Sequence, residues 1–241
     1  MTGNSLSFKE HLGELRSRLI VCAVTLAIAF ACCYAVSGYL VNILFLPVRM
    51  SMPQGSSMVF TALTEGFMTY LKVSFWAAVI ITSPVVLFQF WRFISPGLID
   101  REKRVMRLIL VTGTVLFCAG GIFGYWVIMP VIISMMMGYA GPDLQAMPRL
   151  QNYLLFALKS IFTFGLIFEI PFLMTMAVKT NLVEGSYFRK NRKFAYIAMY
   201  LLAVMLVPAD FFSQLLLALP LAGVYETGIF LGTLLSRQAA E

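Results

Sequence analysis

The sequence predicts an all-α, polytopic membrane protein with six transmembrane helices. Of its 241 residues, 60% are hydrophobic and only 12% are charged, and its mean hydropathy is +0.86. A soluble domain is about half apolar and about a quarter charged. Because a chain of this length cannot shield so much apolar surface from water by folding alone, we expect residues 1–241 to form a single integral membrane domain.

Four long apolar runs provide the first four predicted spans. Crossing a hydrocarbon core about 30 Å thick takes roughly 20 apolar residues in helical conformation. Each run meets this length with few or no charges. Their approximate bounds are 19–40, 67–93, 108–137 and 153–178.

The last apolar stretch is too long for one helix and is interrupted by the sequence VPAD at 207–210. Pro208 cannot donate to the helical hydrogen-bond ladder, and Asp210 favours a turn or a helix cap. We therefore expect two helices, 194–207 and 211–235, joined by a tight turn. The first has 14 residues and covers only about 21 Å, so either the bilayer thins around it or the flanking Arg192 and Lys193 snorkel to the interface.

Basic residues predict the orientation. Fourteen of the 18 lysines and arginines fall on one side of the predicted spans, and only Arg49 and Arg149 fall on the other. Cytoplasmic loops carry the Lys/Arg excess, so both termini are predicted to be cytoplasmic. The net charge of +7 follows from this topology and requires no nucleic-acid partner.

The residue inventory excludes several activities. The phosphate-binding motif G-x-x-x-x-G-K-[ST] is absent, and the single histidine, His11, lies outside the predicted spans. A histidine-ligated haem, an H-E-x-x-H zinc site or a Ser-His dyad inside a span is therefore excluded. We expect no enzymatic activity, no catalytic residue, no metal and no cofactor. The function classes that remain are transport and recognition of another polypeptide.

Small residues inside the predicted spans have packing roles. The four cysteines are expected to be small apolar residues and not disulfide partners. Gly120 and Gly124 form a G-x-x-x-G pair, which predicts close packing of another helix.

The N-terminal residues predict a short amphipathic helix that leads into the first span. Ser7 and Glu10 have the spacing of a capping box. Glu14 and Arg18, four residues apart, are expected to form an ion pair on the helix surface. The apolar stripe of this helix consists of Phe8, Leu12, Leu15 and Leu19.

The segment between the second and third spans combines a helix break with scattered acids. The Pro96-Gly97 pair ends the second span, and Asp100 can cap the third. Glu102 lies among basic neighbours that keep it ionised. A basic loop of this kind serves topology, but a few well-placed acids on it could also bind guanidinium groups in a bidentate manner.

Glu169 is the carboxylate of the run FGLIFEIPF, with Pro171 two residues later. An ionisable residue at membrane depth costs about 2.5 to 3.5 kcal/mol on insertion scales and is a candidate functional site. One interpretation is structural, with a protonated Glu169 bonded to carbonyls that Pro171 leaves without donors.

Two other function classes fit parts of the pattern. A secondary transporter could use Glu169 as a proton-coupling carboxylate, with Lys159 as its neighbour on the helix. Such transporters show internal repeats and paired broken helices, whereas the Glu-Pro element occurs once here. A purely structural scaffold would leave the cytoplasmic acids unexplained.

Four blocks of the chain together resemble the TatC family, the polytopic receptor subunit of the twin-arginine protein translocase. The blocks occur in the family's order, and the resemblance covers nearly the whole chain. They are HLGELRSRL (11–19), FQFWRFISPGLIDREKR (88–104), FGLIFEIP (164–171) and VPADFFSQLLLALP (207–220).

The resemblance implies a function, partners and a location. Members of the family bind the twin-arginine signal peptides of folded proteins at the cytoplasmic face. They assemble with single-span partner subunits of the TatA and TatB type, and with further copies, into an export complex. The implied location is the bacterial cytoplasmic (inner) membrane, with both termini cytoplasmic.

The resemblance also implies site residues. By their positions in the family's blocks, Glu14 and Glu102 are expected to receive the signal arginines. The residues that match other positions of this cytoplasmic surface are Arg16, Phe93, Pro96 and Arg104.

A second set of expected site residues belongs to the membrane-embedded part. The family carries an acid at the place of Glu169, facing a groove between helices where a partner helix or water is met. Val207 departs from the family, which often has Thr there, so the polar patch for a partner helix is expected to be thinner. The edge expected to bind a partner comprises Met205, Asp210 and Gln214, and the expected structural prolines are Pro47, Pro171 and Pro208.

Overall fold

The structure is a computed structural model that describes residues 8–51, 64–94, 103–138, 149–179, 183–184, 186–206 and 211–238. Nearly all of these residues are helical, as predicted. In chain order the α-helices are α1 (Phe8–Ala35), α2 (Ser37–Leu44), α3 (Leu46–Ser51), α4 (Glu65–Ile94), α5 (Lys103–Phe123), α6 (Met129–Met137), α7 (Leu150–Phe168), α8 (Ile170–Lys179), α9 (Tyr187–Lys190), α10 (Arg192–Leu206) and α11 (Phe211–Gln238).

The chain divides into two compact units. The first contains the described residues of Met1–Leu44 and Phe60–Thr114. The second contains the described residues of Phe45–Val59 and Val115–Glu241.

In the first unit, α1 and α2 pack against α4. Small side chains lie at the contact, where Cys33, Ala77 and Ala78 form a buried cluster. Such residues allow two helices to approach closely without the hydrophobic driving force that water supplies to soluble proteins. The buried Cys33 therefore has the packing role that the sequence predicts, and all four cysteines are free thiols.

The first long helix ends earlier than the predicted bound of residue 40. α1 stops at Ala35, and a turn at Val36 precedes α2, whose Leu40 amide donates to the Val36 carbonyl at 3.2 Å. Ser37 and Gly38 follow the turn directly. Both residues have weak helix propensity, and glycine costs about 1 kcal/mol relative to alanine, which accounts for a break that apolarity alone did not reveal.

The third long helix contains a π-helical segment, Gly124–Ile128, between α5 and α6. The Met129 amide donates to the Gly124 carbonyl, five residues back. Pro130 follows at the start of α6 and brings no N–H, so the helix cannot keep a continuous α ladder through this point. The widened turn is the local response, as is common for π segments within longer helices.

The second unit has a core formed mainly by side chains of α7, α8, α10 and α11, including Phe164, Met174, Ala203 and Leu221. Gly120 and Gly124 lie against α7, as the G-x-x-x-G spacing predicts. A methyl group at Gly120 would overlap the Phe164 backbone oxygen and lie 2.8 Å from the Phe168 side chain. The close helix packing predicted at these glycines is confirmed.

Four helical stretches are long and apolar enough to cross a membrane: 12–35, 65–90, 111–135 and 150–178. A shorter apolar stretch covers 217–230. α10 has 15 residues, or about 22 Å, close to the short fifth span that the sequence predicts. The six-span count and the side on which the termini lie stay predictions. The predicted turn at 207–210 falls outside the described residues.

Candidate functional site

Glu14 and Arg18 lie one turn apart on α1. Arg18 donates from Nη2 to Oε1 of Glu14, so the predicted ion pair is confirmed. The side chain of Glu14 is 33% exposed and that of Arg18 only 11% exposed. The carboxylate is thus accessible from solvent on one side while a guanidinium already occupies part of its bonding capacity.

Apolar side chains continue along the same turns of α1. Leu12, Leu19 and Ile20 are exposed, and Arg16 is exposed among them. They line a shallow groove of about 530 Å³. This end of α1 therefore carries a partly exposed carboxylate on one face and an apolar groove on another.

The other predicted residues of the cytoplasmic surface lie at the edge of what the structure describes. Phe93 is in the last turn of α4 and Arg104 in the first turn of α5. Their side chains are not described, and Pro96 and Glu102 fall outside the described residues. The joint arrangement of Glu14 and Glu102 stays a prediction, as does the capping box at Ser7.

Glu169 lies where the fourth long helix breaks. α7 ends at Phe168 and α8 begins at Ile170, since Pro171 has no amide hydrogen to donate to the carbonyl one turn earlier. The Glu169 amide donates to the Leu166 carbonyl at 3.1 Å, and the Leu173 amide donates to the Glu169 carbonyl at 2.9 Å. Backbone amides thus donate on both sides of the break, but no described hydrogen bond shows the Glu169 side chain bonded to a freed carbonyl, which the structural interpretation expected.

The Glu169 side chain is buried and only 2% exposed. Within the described part of the chain, its Oε1 atom has no hydrogen-bond donor. Leaving a buried carboxyl oxygen without a partner costs roughly 1 to 3 kcal/mol or more. Nothing among the described residues offsets this cost, which keeps Glu169 a candidate functional residue.

The wall beside the break is tightly packed. α8 packs along α11, and a methyl group at Gly228 would lie 3.0 Å from the Pro171 Cα atom and closer still to the Met174 sulfur. Pro171 itself is buried. Pro171, two residues after Glu169, is therefore held close to the α11 backbone.

The predicted partner-binding edge is described in part. Met205, in the last turns of α10, is 85% exposed. Gln214 on α11 accepts a hydrogen bond from the Tyr200 hydroxyl at 3.3 Å, and the Tyr200 ring lies 6.1 Å from that of Phe211. Pro208 and Asp210 fall outside the described residues. The edge thus presents a large apolar side chain near an amide held in a defined position.

Pro47 is placed in the second unit, on the short helix α3, where it is fully buried. Its neighbour Val48 is 1% exposed, and the ring of Phe45 contacts that of Tyr153 at 6.1 Å. These contacts are compatible with the structural role that the resemblance implies for Pro47.

Sequence reasoning missed one charged cluster. Arg192 at the start of α10 donates to Glu226 on α11 at 2.6 Å, and the Tyr196 hydroxyl donates to the same carboxylate. The Tyr225 hydroxyl donates to the Phe188 carbonyl at 3.0 Å. The sequence signal that could have revealed this cluster was Glu226, a lone acid inside the predicted span 211–235. A lone acid in an apolar run is also what made Glu169 a candidate. The cluster joins α9 and α10 to α11.

No group of three or more His, Cys, Asp or Glu side chains that could hold a metal ion occurs among the residues described. The described site residues offer carboxylates, guanidinium groups and apolar surface.

Comparison with known proteins identifies relatives over nearly the whole chain. The family model for the Sec-independent protein translocase protein TatC matches residues 10–220. The TatC protein of Desulforapulum autotrophicum is 38% identical over 92% of this chain and 82% of its own length. The TatC protein of Aquifex aeolicus is 33% identical over 96% of this chain and 97% of its own, and that of Escherichia coli K12 is 31% identical over 91% and 85%.

The fold is also that of a solved relative. A crystal structure of the twin-arginine translocase receptor TatC, determined in the detergent DDM, superposes with a TM-score of 0.83 at 32% identity. The match covers 92% of this chain and 99% of that one. The chain therefore belongs to the TatC family, and it is a multi-pass membrane component of a Sec-independent protein translocase.

Proposed function

We propose that this translocase subunit binds twin-arginine signal peptides at its cytoplasmic face, through Glu14 and Glu102. The observation that carries the proposal is the partly exposed Glu14 carboxylate, which already binds the guanidinium group of Arg18. A group that pairs with a resident arginine has the geometry to pair with an incoming one.

The surroundings of Glu14 support a signal peptide over a free cation. A twin-arginine signal joins two guanidinium groups to an apolar segment, and the exposed Leu12, Leu19 and Ile20 offer apolar surface at the same end of α1 as Glu14, on a different face of the helix. Arginine forms planar, two-point bonds with carboxylates that lysine cannot form. Glu14 and Glu102 together would offer one carboxylate to each arginine of the signal.

The membrane-embedded part supports docking of single-span partner subunits. The buried oxygen of Glu169 has no donor among the described residues, and at the end of the short helix α10 the exposed Met205 accompanies the half-buried Gln214 of α11. A polar group of a partner helix, or water, could satisfy Glu169 at a separate place, because Pro171 packs beside Gly228, about 21 Å along α11 from Gln214. Bacterial inner-membrane location, cytoplasmic termini and a multi-copy complex belong to the same proposal.

A proton-coupled transporter using Glu169 is the less favoured function. Membership in a translocase family and the single occurrence of the Glu-Pro break both favour protein export. No described contact joins Lys159 to Glu169.

Site-specific photocrosslinking in membranes tests the signal-binding proposal. A photoreactive residue replaces Leu12, and a control replaces Ile28, which is the more exposed of the two and lies on the same helix. A twin-arginine signal peptide is expected to crosslink at Leu12 and not at Ile28, and a twin-lysine peptide is expected to crosslink weakly. Equal crosslinking at both positions, or none at Leu12, would contradict the proposal.

A further inference from the structure

A groove of about 480 Å³ lies between α1 and α4 in the first unit. Its α1 wall includes Ala23, Ala27 and Phe30, and its α4 wall includes Leu71 and Phe75. One ionisable side chain, Lys72, is among the described residues that line it. The groove is otherwise apolar, so its chemistry is a single ammonium group beside hydrocarbon surface.

Lys72 has no protein counter-charge in the part of the chain that the structure describes. The Lys72 side chain is exposed, and no described carboxylate lies within 4 Å of its Nζ atom. A charged group in an apolar span normally pairs or reaches the interface, because leaving it unpaired in hydrocarbon costs several kcal/mol. The counter-charge is therefore expected from another molecule.

The depth of Lys72 suits a lipid headgroup. It lies five residues after Phe67, where the second predicted span begins, which places its Cα about 7 to 8 Å inside the apolar layer. A lysine stem can extend along apolar surface and carry its ammonium to the interface. By the predicted orientation, this is the non-cytoplasmic leaflet.

The shape of the groove favours a linear chain over a helix. Ala23 and Ala27, one turn apart on α1, leave an opening bounded by the rings of Phe30 and Phe75. An α-helix with its side chains is about 10 to 12 Å across. A groove of this volume fits an acyl chain along its length, but only single side chains of a helix.

We propose that this groove binds an anionic phospholipid of the non-cytoplasmic leaflet. The phosphate accepts hydrogen bonds from the Lys72 ammonium, and one acyl chain lies along Ala23, Ala27 and Phe30. Charge-assisted N⁺–H···O⁻ bonds are the strong ones, and they strengthen where water is scarce. A net negative headgroup is preferred, because a zwitterionic lipid brings its own cation next to Lys72.

Native mass spectrometry of the purified, delipidated protein tests this site. Phosphatidylglycerol and phosphatidylcholine are titrated separately against wild type, Lys72→Gln and Lys159→Gln. Lys159 is the matched control, since it is also an exposed lysine inside an apolar span. Phosphatidylglycerol is expected to bind wild type and Lys159→Gln alike and to bind Lys72→Gln about tenfold more weakly, the loss of roughly one charge-assisted interaction.

A second variant separates shape from charge. Ala27→Trp fills the groove and keeps Lys72, so it is expected to lower phosphatidylglycerol binding as well, with its thermal unfolding in detergent confirming that it is folded. Equal binding of the two lipids, or unchanged binding by Lys72→Gln, would overturn the proposal. It would also be overturned if a photocrosslinker at Ala27 in membranes captured a polypeptide and no lipid.

Discussion

Arg18 donates to the Glu14 carboxylate from one turn further along α1, and the guanidinium side chain is the more buried of the two. The acid proposed to receive a signal arginine therefore already holds an arginine of its own chain. An incoming guanidinium has to compete with this pair or share the second carboxylate oxygen.

Removing the resident arginine tests that competition. A partly exposed ion pair of this spacing is worth roughly 0.3 to 1 kcal/mol, so Arg18→Gln should tighten twin-arginine signal binding about two- to fivefold. Binding to protein in nanodiscs, measured by fluorescence anisotropy, gives the affinity. The double variant Glu14→Gln/Arg18→Gln should show no such gain over Glu14→Gln. Weaker binding by Arg18→Gln would mean that Arg18 positions Glu14 and does not compete.

Glu169 is predicted to act in partner docking and not in signal recognition. Glu169→Gln keeps the shape and hydrogen-bonding capacity, whereas Glu169→Ala removes both. If docking needs only a polar group, export of a folded reporter should be nearly normal in Glu169→Gln and lost in Glu169→Ala. If it needs the charge, both should fail while signal affinity stays at the wild-type value. Normal export by Glu169→Ala, or a loss of signal binding, would refute the role.

The exposed end of α10 is predicted to contact a partner helix. The background is a variant with alanine at the four native cysteines, all of which are free. Cysteines introduced at Met205 and at Gln214 should form disulfides with cysteines in a partner's transmembrane segment. Ile122→Cys, at a 61% exposed position on α5, is the control and should not crosslink. Equal yields at Ile122 and Met205 would place the partner elsewhere.

The contact at Gly120 is predicted to be essential for packing α5 against α7. A methyl group there would meet the Phe164 backbone oxygen and the first atoms of the Phe168 side chain, which cannot rotate away. Gly120→Ala should lower the free energy of unfolding by about 1 to 3 kcal/mol, seen as a lower melting temperature in detergent. Gly223→Ala has no atom within 4 Å of the new methyl group and should be neutral or slightly stabilising. Equal melting temperatures for the two variants would contradict the packing.

Apolar run length and local spacing predicted the features that depend on neighbouring residues. The long helices, the Glu14–Arg18 pair and the break at Glu169 all depend on residues within one or two turns. The G-x-x-x-G spacing predicted close packing at Gly120, but not that the helix packed there is α7. The early end of α1 at Ala35 and the π segment before Pro130 were not predicted. The length of an apolar run does not show where Ser37-Gly38 ends a helix or where Pro130 changes its hydrogen bonding.

Long-range pairing could not be read from the sequence in the same way. Arg192 and Glu226 are 34 residues apart, and their contact depends on how α10 packs against α11. The site residues were predicted through the family's motif blocks, since a carboxylate such as Glu102 on a basic loop does not by itself indicate a ligand.

The affinity of a twin-arginine signal peptide for the reconstituted protein tests the central claim most directly. Wild type, Glu14→Gln and Glu102→Gln are compared with Glu184→Gln, a matched control at a highly exposed carboxylate on the same predicted side of the membrane. The account predicts that Glu14→Gln and Glu102→Gln each weaken binding about tenfold or more, by losing a charge-assisted pair, while Glu184→Gln binds like wild type. Unchanged affinity in both Glu14→Gln and Glu102→Gln, with the protein correctly inserted, would contradict it.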